Sequence, residues 1–378
     1  MPGSILIVAG ETSGDILGAA IIDQWKKTGV RPKKFWGFGG SRMEQAGVEI
    51  LRDIHELSVI GFWEAIVNYR RLNNYLNSLV LEAKKRKISG VILIDYPGFN
   101  LKLARKMAKF QVPVCLVVSP QIWAWHYSRI FSIKRYVHYV FCLYKFELDI
   151  YKKENIPAIF IGHPVFKKIK NFMNSHAIDI SRLIKQKKRN RKIALLPGSR
   201  KSEIKRHLPF LISLAQHFYD LHPDSFFEIP CASDQIAGLI REYNLPHYIF
   251  LREADTYLTL ATSDSGVVCS GTATLECALF NLPFLLIYKT SPASYFIGKK
   301  LIQIPYIGLV NVLRNSFVTK EFIQSDMDEK LVLKELENIN FNKKYIKSMQ
   351  NEFLKVKREV YSLDPAKKAA RYLSGIFK

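Results

Sequence analysis

Four loops of small residues carry a carboxylate or an arginine after a short apolar run, and each could do chemistry. The first is Gly10-Glu-Thr-Ser-Gly-Asp15, between apolar residues 5–9 and a helical pattern. Its glycines would let a ligand approach the backbone, and N–H groups of the following helix would point at that ligand. The spacing fits neither a dinucleotide fingerprint nor a P-loop. A tight turn in which Ser13 or Asp15 caps the helix explains the motif equally well.

The second loop, Ile94-Asp-Tyr-Pro-Gly-Phe-Asn100, places Asp95 at the end of an apolar run. A carboxylate there could act as a general base at the edge of a sheet, or it could cap the helix that follows. The residues themselves do not decide between these two interpretations.

The third loop predicts a site for a pyrophosphate, and the fourth predicts a site for a ribose. In Leu195-Leu-Pro-Gly-Ser-Arg-Lys-Ser-Glu203, Arg200 stands at a helix start, where a guanidinium and backbone N–H groups bind anions. In Ser270-Gly-Thr-Ala-Thr-Leu-Glu276, Glu276 could accept hydrogen bonds from two ribose hydroxyls. The alternatives are an ordinary turn with a surface arginine and, for the fourth loop, small residues that pack a helix on a strand.

Two further motifs have weaker functional interpretations. Ser119-Pro-Gln-Ile-Trp-Ala-Trp125 sets two indoles and a glutamine at the end of an apolar run, which suits a sugar or acyl surface or a core aromatic pair. His163, which precedes a proline, is more often structural than catalytic in such a place. The nine histidines follow no metal-binding pattern, so the sequence predicts no metal site.

Two parallel sheets are expected to position these loops. Short apolar runs alternate with helical patterns in 5–143 and again in 192–288, which is typical of βαβ units. In such sheets ligands bind at the carboxyl ends of the strands, where all four loops fall. A basic segment within 171–191 separates the halves, so we predict domains at 1–170 and 190–344. The basic, helical end, 345–378, could pack on either domain.

The amino-acid composition limits the kinds of binding partner and the cell compartment that the protein could have. The 378 residues suit two domains, and 56 Lys and Arg against 33 Asp and Glu give a net charge of +23. Such a charge favours nucleic acid, anionic lipid or phosphorylated substrates, unless it is only a solvated surface. The five widely spaced cysteines indicate free thiols in a reducing compartment. The sequence shows neither a signal peptide nor an apolar run of about 18 residues that could span a membrane.

Taken together, the motifs resemble those of the lipid-A-disaccharide synthase family, glycosyltransferase family 19. The resemblance runs from about residue 4 to residue 330 and covers both halves in the right order. Besides the four loops and Ser119–Trp125, it rests on three short motifs, Gly39-Gly-Ser-Arg-Met43, Leu57-Ser-Val-Ile-Gly61 and Gly162-His-Pro164.

The resemblance implies an α/β fold of the GT-B type, in which two Rossmann-like domains with parallel sheets face each other across a cleft. The N-terminal domain would hold the acceptor on the membrane side, with the last helix packing back on it. The C-terminal domain would bind the UDP-sugar. The reaction implied is inverting transfer of 2,3-diacylglucosamine from UDP to the 6-hydroxyl of 2,3-diacylglucosamine 1-phosphate, without a metal or other cofactor.

The resemblance also assigns roles to individual residues. Asp95 would be the general base, Glu11 a functional acid of the first loop, and Arg200 the group that neutralises the leaving UDP. Glu276 would hold the ribose. The other residues expected to contact substrates are Ser13, Gly14, Asn100, Gln121, Trp123, His163, Ser199, Ser270, Gly271, Thr272, Asn311 and Gln324.

Three positions depart from the family pattern. Gly98 stands where many members have a second aspartate, and Lys145 and Val310 stand where proline is expected. We expect these changes to affect acceptor binding more than the reaction.

The implied substrates place the enzyme at a membrane. A diacyl sugar stays in a bilayer, so we expect peripheral association with the anionic, cytoplasmic face of the inner membrane. The segment 60–76 mixes bulky apolar residues with two arginines, which indicates an interfacial helix or a helix that faces the core. A homodimer is compatible with the family.

Two other functions remain open. The first is a different GT-B enzyme that uses a UDP-sugar, such as a GlcNAc transferase or a 2-epimerase. The first loop and Ser119–Trp125 argue against it. The second is a basic, non-enzymatic nucleic-acid-binding protein, which the strand-end aspartate and arginine in the two halves disfavour.

Overall fold

The computed structural model describes residues 3–30, 34–56, 69–177, 190–231, 233–253, 255–292, 295–296, 298 and 304–377. The chain forms two compact units. The first comprises Met1–Pro164 together with Val360–Lys378, and the second comprises Val165–Glu359.

The first unit contains a sheet of seven parallel strands. They are β1 (Ser4–Ala9), β2 (Phe35–Gly39), β3 (Val48–Asp53), β4 (Ile88–Ile94), β5 (Val114–Val117), β6 (Tyr139–Cys142) and β7 (Ala158–Phe160). Its helices are α1 (Thr12–Lys26), α2 (Ser41–Gln45), α3 (Tyr69–Arg86), α4 (Pro97–Met107), α5 (Arg129–Tyr136) and α6 (Phe146–Lys153). Short 3-10 turns occur at Ile54–Glu56 and Ala108–Phe110.

The second unit contains six parallel strands. They are β8 (Lys192–Leu196), β9 (Phe226–Cys231), β10 (Ile249–Glu253), β11 (Ser265–Cys269), β12 (Phe284–Tyr288) and β13 (Glu321–Ile323). Its helices are α7 (Pro164–Ser175), α8 (Lys201–Leu221), α9 (Asp234–Arg241), α10 (Thr256–Thr262), α11 (Thr272–Leu279), α12 (Leu309–Arg314), α13 (Glu329–Phe341) and α14 (Lys343–Val360). A 3-10 turn follows β13 at Gln324–Asp326.

The strand orders explain where the loops of interest lie. The first sheet runs β3-β2-β1-β4-β5-β6-β7, and the second runs β10-β9-β8-β11-β12-β13. Both contain the Rossmann order, in which the chain reverses direction across the sheet between the first and fourth strands. The switch points therefore lie between β1 and β4 and between β8 and β11. Each of the four predicted loops follows one of these four strands.

The central strands are apolar because both faces of each sheet are covered. β1 and β8 are buried over their whole length, and β4 over all but one residue. Such strands show continuous apolar runs instead of alternation. Helix α1 approaches the sheet closely at Gly18, where a Cβ atom would lie 2.8 Å from the Met43 sulfur and 2.9 Å from Ile94.

The domain boundaries differ from the predicted ones. Helix α7 belongs to the second unit, so the first unit ends its N-terminal part at Pro164 and not near residue 170. The basic end 345–378, which could have packed on either domain, is divided between the two units, and α14 up to Glu359 belongs to the second. The Phe353 ring on that helix is buried and stacks on Phe284 of the second sheet, with centroids 5.7 Å apart.

The last helix, α15 (Pro365–Ile376), packs on the first unit beside α1. The Phe377 ring that follows it stacks on Trp25, with centroids 5.9 Å apart. A Cβ atom at Gly90 would lie 2.0 Å from that ring, so this contact requires glycine. Of the segment 171–191 predicted to connect the domains, residues 178–189 lie outside the described residues.

Candidate functional site

Asp95 stands at the switch point of the first sheet, in a strained turn. Its N–H group donates to the carbonyl oxygen of Val117 at 2.9 Å, which extends the pairing of β4 with β5 by one residue. Asp95 and Tyr96 then adopt left-handed backbone, with φ of 52° and 47°. Residues other than glycine rarely take this conformation, and two in succession lift the carboxylate out of the strand direction.

Asn100 holds this turn from behind. Its Nδ2 group donates to the carbonyl oxygen of Asp95 at 2.7 Å and to that of Ile94 at 3.2 Å. The side chain is fully buried, and its Oδ1 atom accepts no hydrogen bond from the residues that the structure describes. The Asn100 side chain thus lies beneath the turn and positions Asp95, and its predicted contact with substrate stays a prediction.

The environment of Asp95 makes its carboxylate a better base. Burial raises the pKa of Asp95, and the hydrogen bond that its Oδ1 accepts from the Tyr96 N–H (2.8 Å) only partly opposes this. A raised pKa increases the proton affinity of a carboxylate that must take a proton from a hydroxyl group. Perturbed carboxyl groups at sheet edges are common in catalytic sites.

The first loop lies against the Asp95 turn. Burial and the nearby Glu11 carboxylate raise the pKa of the Tyr96 hydroxyl, which places Glu11 close to that ring. A Cβ atom at Gly10 would lie 2.4 Å from the Tyr96 ring, so only glycine fits there. Glu11 and Ser13 are exposed at the start of α1. The structure thus brings Glu11 and Asp95 to one switch point.

Two other residues of the first loop are structural. Asp15 is buried, and its carboxylate accepts from the N–H groups of Gly40, Arg42 and Met43 at 2.7, 3.1 and 3.0 Å. It therefore caps α2 and not its own helix. Gly14 is buried, and its Cβ would lie 3.3 Å from that of Ala9. Gly14 thus allows α1 to pack closely on the sheet, and its predicted contact with substrate stays a prediction.

The indole of Trp123 is held by a carboxylate that the sequence did not single out. Trp123 Nε1 donates to Glu147 Oε1 at 3.3 Å, and the N–H groups of Leu143 and Tyr144 donate to Oε2 at 3.2 and 3.1 Å. Burial raises the pKa of Glu147 to about 7, although these donors and Ser119 lower it. In the sequence, Glu147 is marked only by the Phe-Glu pair at 146–147, which this chain shares with the family pattern.

The other predicted residues of this unit differ in position. Gln121 is exposed, and its carbonyl oxygen accepts from the N–H groups of Ala124 and Trp125 in a turn. His163 follows β7, three strands away from β4. Its ring lies 5.6 Å from that of Tyr144, and its N–H donates to the Val360 carbonyl at 3.2 Å. The structure therefore does not bring His163 to Asp95.

In the second unit, Arg200 caps the start of α8 at the switch point. Its side chain is 75% exposed, and Nη1 lies 3.3 Å from Glu203 Oε1. Glu203 Oε2 accepts from the N–H groups of Ser199 and Arg200 at 2.9 and 3.2 Å, which forms a capping box. Gly198 has φ of 113°, and a Cβ there would lie 2.5 Å from Glu203. The arrangement offers a guanidinium and helix N–H groups to an anion.

The loop after β11 lies beside it. Gly271, with φ of 148°, and Thr272 are exposed at the start of α11, and Ser270 Oγ donates to the Ile307 carbonyl at 3.3 Å. One turn further, Glu276 accepts a hydrogen bond from the Tyr257 hydroxyl at 3.0 Å. Burial raises the pKa of Glu276. The third loop thus follows β8 and the fourth follows β11, and these two strands are neighbours in the sheet.

Asn311 does not line this site. Its side chain is fully buried, and Nδ2 donates to the Thr319 carbonyl and to Glu321 Oε1 at 2.8 and 2.7 Å. Its Oδ1 accepts from the N–H groups of Val318 and Thr319 at 2.8 and 3.0 Å. The amide therefore holds β13 and α12, and the predicted substrate contact of Asn311 stays a prediction.

Gln324 also has a structural role. Its amide pairs in both directions with the backbone of Thr290, since Oε1 accepts from the N–H at 2.7 Å and Nε2 donates to the carbonyl at 3.2 Å. These bonds fix the chain just beyond β12. The predicted contact of Gln324 with substrate stays a prediction.

His207 connects the loop that follows β8 to the loop that follows β12, and it was not among the predicted site residues. It is fully buried on α8. Its Nδ1–H group donates to the Pro197 carbonyl at 2.9 Å, and its Nε2 accepts from the Lys289 N–H at 2.8 Å. Burial lowers the pKa of His207, so the imidazole is neutral. No motif marks this residue, because both of its partners are backbone groups distant in sequence.

Among the residues that the structure describes, no group of three His, Cys, Asp or Glu side chains could hold a metal ion. No described helix is long and apolar enough to cross a membrane.

The fold defines the class of the protein. A UDP-GlcNAc 2-epimerase from Neisseria meningitidis, solved with UDP-GlcNAc bound, superposes with a TM-score of 0.63, covering 98% of both chains at 13% identity. At this identity the likeness shows the fold alone. Together with the two Rossmann-type sheets it makes the chain a GT-B protein.

The family is shown by sequence. The family model described as lipid-A-disaccharide synthetase matches residues 5–371, so the chain belongs to that family and is a glycosyltransferase. A lipid-A-disaccharide synthase from Coxiella burnetii is 36% identical over 352 residues, which cover 92% of this chain and 91% of that protein. The synthase from Geobacter sulfurreducens is 34% identical over 333 residues, covering 85% and 84%.

Proposed function

We propose that this protein is a lipid-A-disaccharide synthase. It transfers 2,3-diacylglucosamine from its UDP derivative to the 6-hydroxyl group of 2,3-diacylglucosamine 1-phosphate and releases UDP. The observation that carries the proposal is the Asp95 carboxylate, which is half-buried, raised in pKa and held in a strained turn at a switch point. The family membership and the names of the relatives support the choice of substrates.

In this mechanism Asp95 is the general base. Its carboxylate takes the proton of the acceptor 6-hydroxyl group while that oxygen attacks C1 of the donor sugar from the face opposite UDP. The bond between C1 and the phosphate oxygen breaks, and its electron pair leaves with UDP, so the anomeric configuration inverts. Glu11 lies at the same switch point and binds the acceptor.

The second unit holds the leaving group. Arg200 and the N–H groups at the start of α8 and α11 neutralise the charge that develops on the UDP phosphates. Ser199, Ser270, Gly271 and Thr272 contact the pyrophosphate, and Glu276 accepts from the ribose hydroxyls. The exposure of the Arg200 side chain supports this role, because a guanidinium locked in the core could not reach a ligand.

The substrates place the enzyme on the cytoplasmic face of the inner membrane, as a peripheral protein. The predicted membrane segment 60–76 lies outside the described residues up to residue 68, and the helix from Tyr69 onward is part of α3. The membrane role of the segment 60–76 stays a prediction, and so does the homodimer.

A product assay distinguishes this function from the alternatives. The purified protein is mixed with UDP-2,3-diacylglucosamine and the 1-phosphate acceptor in detergent with EDTA, and UDP and lipids are analysed by mass spectrometry. Equal amounts of UDP and disaccharide are expected. Conversion of added UDP-GlcNAc to its 2-epimer, seen by proton NMR, without any disaccharide from the lipid substrates would identify a 2-epimerase and refute the proposal. Tight, salt-sensitive binding of nucleic acid without any turnover would favour the nucleic-acid-binding alternative.

A further inference from the structure

An exposed aromatic and basic surface lies on the flank of the first unit. It consists of Trp125, Tyr127 and Phe131 together with Arg129, Lys134 and Arg135, and we call it the aromatic patch. The three aromatic side chains are 38%, 36% and 68% exposed. Large aromatic side chains are normally buried, so three of them exposed within seven residues need an explanation.

Printed distances connect the patch residues in two groups, one around Trp125 and one around Glu154. The Arg129 guanidinium lies over the Trp125 ring, 4.7 Å from its centroid. The Tyr127 hydroxyl group donates to Glu154 at 3.1 Å, and the Lys134 Nζ atom lies 3.7 Å from the same carboxylate. Phe131 lies one turn before Lys134 and Arg135 on α5, which places the three side chains on one face of that helix.

The same segment begins at the candidate acceptor site. Residues 118–128 follow β5, which pairs with β4 next to Asp95. Trp123, in this segment, bonds to Glu147 at the start of α6, and Trp125 follows at a distance of about 7 Å or less along the chain. The patch is therefore joined to the sheet edge by a short, anchored stretch of backbone.

The chemistry of the patch fits the surface of an anionic bilayer. Tryptophan and tyrosine favour the interface between headgroups and acyl chains, because each ring has an apolar body and a polar tip. Phenylalanine adds apolar area that can enter the acyl region. Three cations among these rings, in a chain with a net charge of +23, are complementary to anionic headgroups.

We propose that the aromatic patch docks the first unit on the anionic bilayer, so that a lipid acceptor can reach Asp95 without leaving the membrane. This docking surface is distinct from the segment 60–76. The inference rests on the proposed function for its lipid acceptor, but membrane binding itself can be measured without turnover.

Vesicle sedimentation tests the proposal with two matched variants. The full chain is mixed with vesicles of phosphatidylcholine, with or without phosphatidylglycerol. Phe131→Ser removes the most exposed ring of the patch, and Phe317→Ser removes an equally exposed ring (68%) from the second unit. Circular dichroism verifies that both variants are folded. We expect Phe131→Ser to lower the partition constant on anionic vesicles roughly tenfold, and Phe317→Ser to leave it unchanged.

Several results would overturn the proposal. Unchanged binding by Phe131→Ser, equal losses in both variants, or no preference of the wild type for anionic vesicles would each do so. Loss of self-association in Phe131→Ser, with vesicle binding intact, would assign the patch to a second copy of the chain instead. Failure of the proposed function is seen separately, because UDP release is measured in detergent, where Phe131→Ser is expected to have wild-type activity.

Discussion

Replacing Asn100 by alanine should damage catalysis without touching any substrate. The substitution removes the two hydrogen bonds to the carbonyl oxygens of Ile94 and Asp95. Each buried acceptor left without a partner costs about 1–3 kcal/mol, so we expect a loss of about 3 kcal/mol in the free energy of unfolding of the first unit. The left-handed backbone of Asp95 and Tyr96 stores a strain of about the same size.

Without these bonds, the turn can relax to ordinary backbone and carry the Asp95 carboxylate away from its position. A displacement of about 1 Å in a catalytic group can lower the rate on the order of 100-fold. We therefore expect kcat to fall about 100-fold, while UDP binding by the second unit stays unchanged. Urea unfolding followed by circular dichroism, steady-state kinetics and calorimetry with UDP measure the three quantities.

Asn77→Ala is the matched control. Asn77 is exposed, and its amide oxygen accepts a hydrogen bond from Lys106 Nζ at 2.9 Å. Its loss should change stability by less than about 0.5 kcal/mol and leave kcat unchanged. If Asn100→Ala destabilises the protein but keeps the wild-type kcat, the position of Asp95 does not depend on Asn100 and the reasoning is refuted.

Three further substitutions test other parts of the site. Arg200→Ala should lower kcat by about 100-fold or more, because it removes the positive charge that neutralises the leaving UDP. The side chain is exposed, so stability should not change. A kcat equal to that of the wild type would contradict this role. The raised pKa of Glu147 contributes stability that is complete below about pH 4.5 and is lost as the pH rises to about 7. The free energy of unfolding of the wild type should therefore fall by about 3 kcal/mol across that range, and Glu147→Gln should abolish this fall. Parallel pH profiles for variant and wild type would contradict the burial of an acid. His207→Leu should weaken UDP binding, which calorimetry measures. His207→Gln retains a donor and an acceptor, so it should bind UDP more tightly than His207→Leu. Equal affinities of wild type and variants would show that the loops after β8 and β12 are positioned independently.

The dependence on pH follows from the raised pKa of Asp95. Because the base must be ionised, kcat/KM should rise with pH, and the midpoint should lie above the ordinary range of an aspartate. A midpoint at the value of an exposed aspartate would show that burial does not act on this group.

The apolar pattern was sufficient to predict two parallel sheets, because strands buried on both faces have to be continuously apolar. The placement of Asp95 at a strand end, and of Arg200 and Glu276 in motifs that follow strands, came from the same pattern. The pattern does not separate residues that would contact a ligand from residues that hold those residues in place. Asn100 and Asn311 are embedded in motifs, and only their burial and hydrogen bonds show that they face inward.

Other features could not be derived from the sequence because they depend on distant partners. Nothing near His207 indicates that it connects Pro197 to Lys289, which lies 82 residues away. The carboxylate of Asp15 looked like the cap of its own helix, but it caps α2, more than 20 residues later. The basic end of the chain looked continuous, yet α14 and α15 belong to different units: Phe353 on α14 stacks on Phe284, and Phe377 after α15 stacks on Trp25.

The central claim is that Asp95 activates the acceptor hydroxyl group, and transfer by Asp95→Asn tests it most directly. The variant keeps the shape of the side chain but cannot take a proton. Disaccharide formation is measured by mass spectrometry with UDP-2,3-diacylglucosamine at saturation, after calorimetry has shown that UDP still binds. We predict a loss of about 100-fold to 10,000-fold in kcat with unchanged UDP affinity. Disaccharide formation at the wild-type rate would show that another group is the base and would contradict the account.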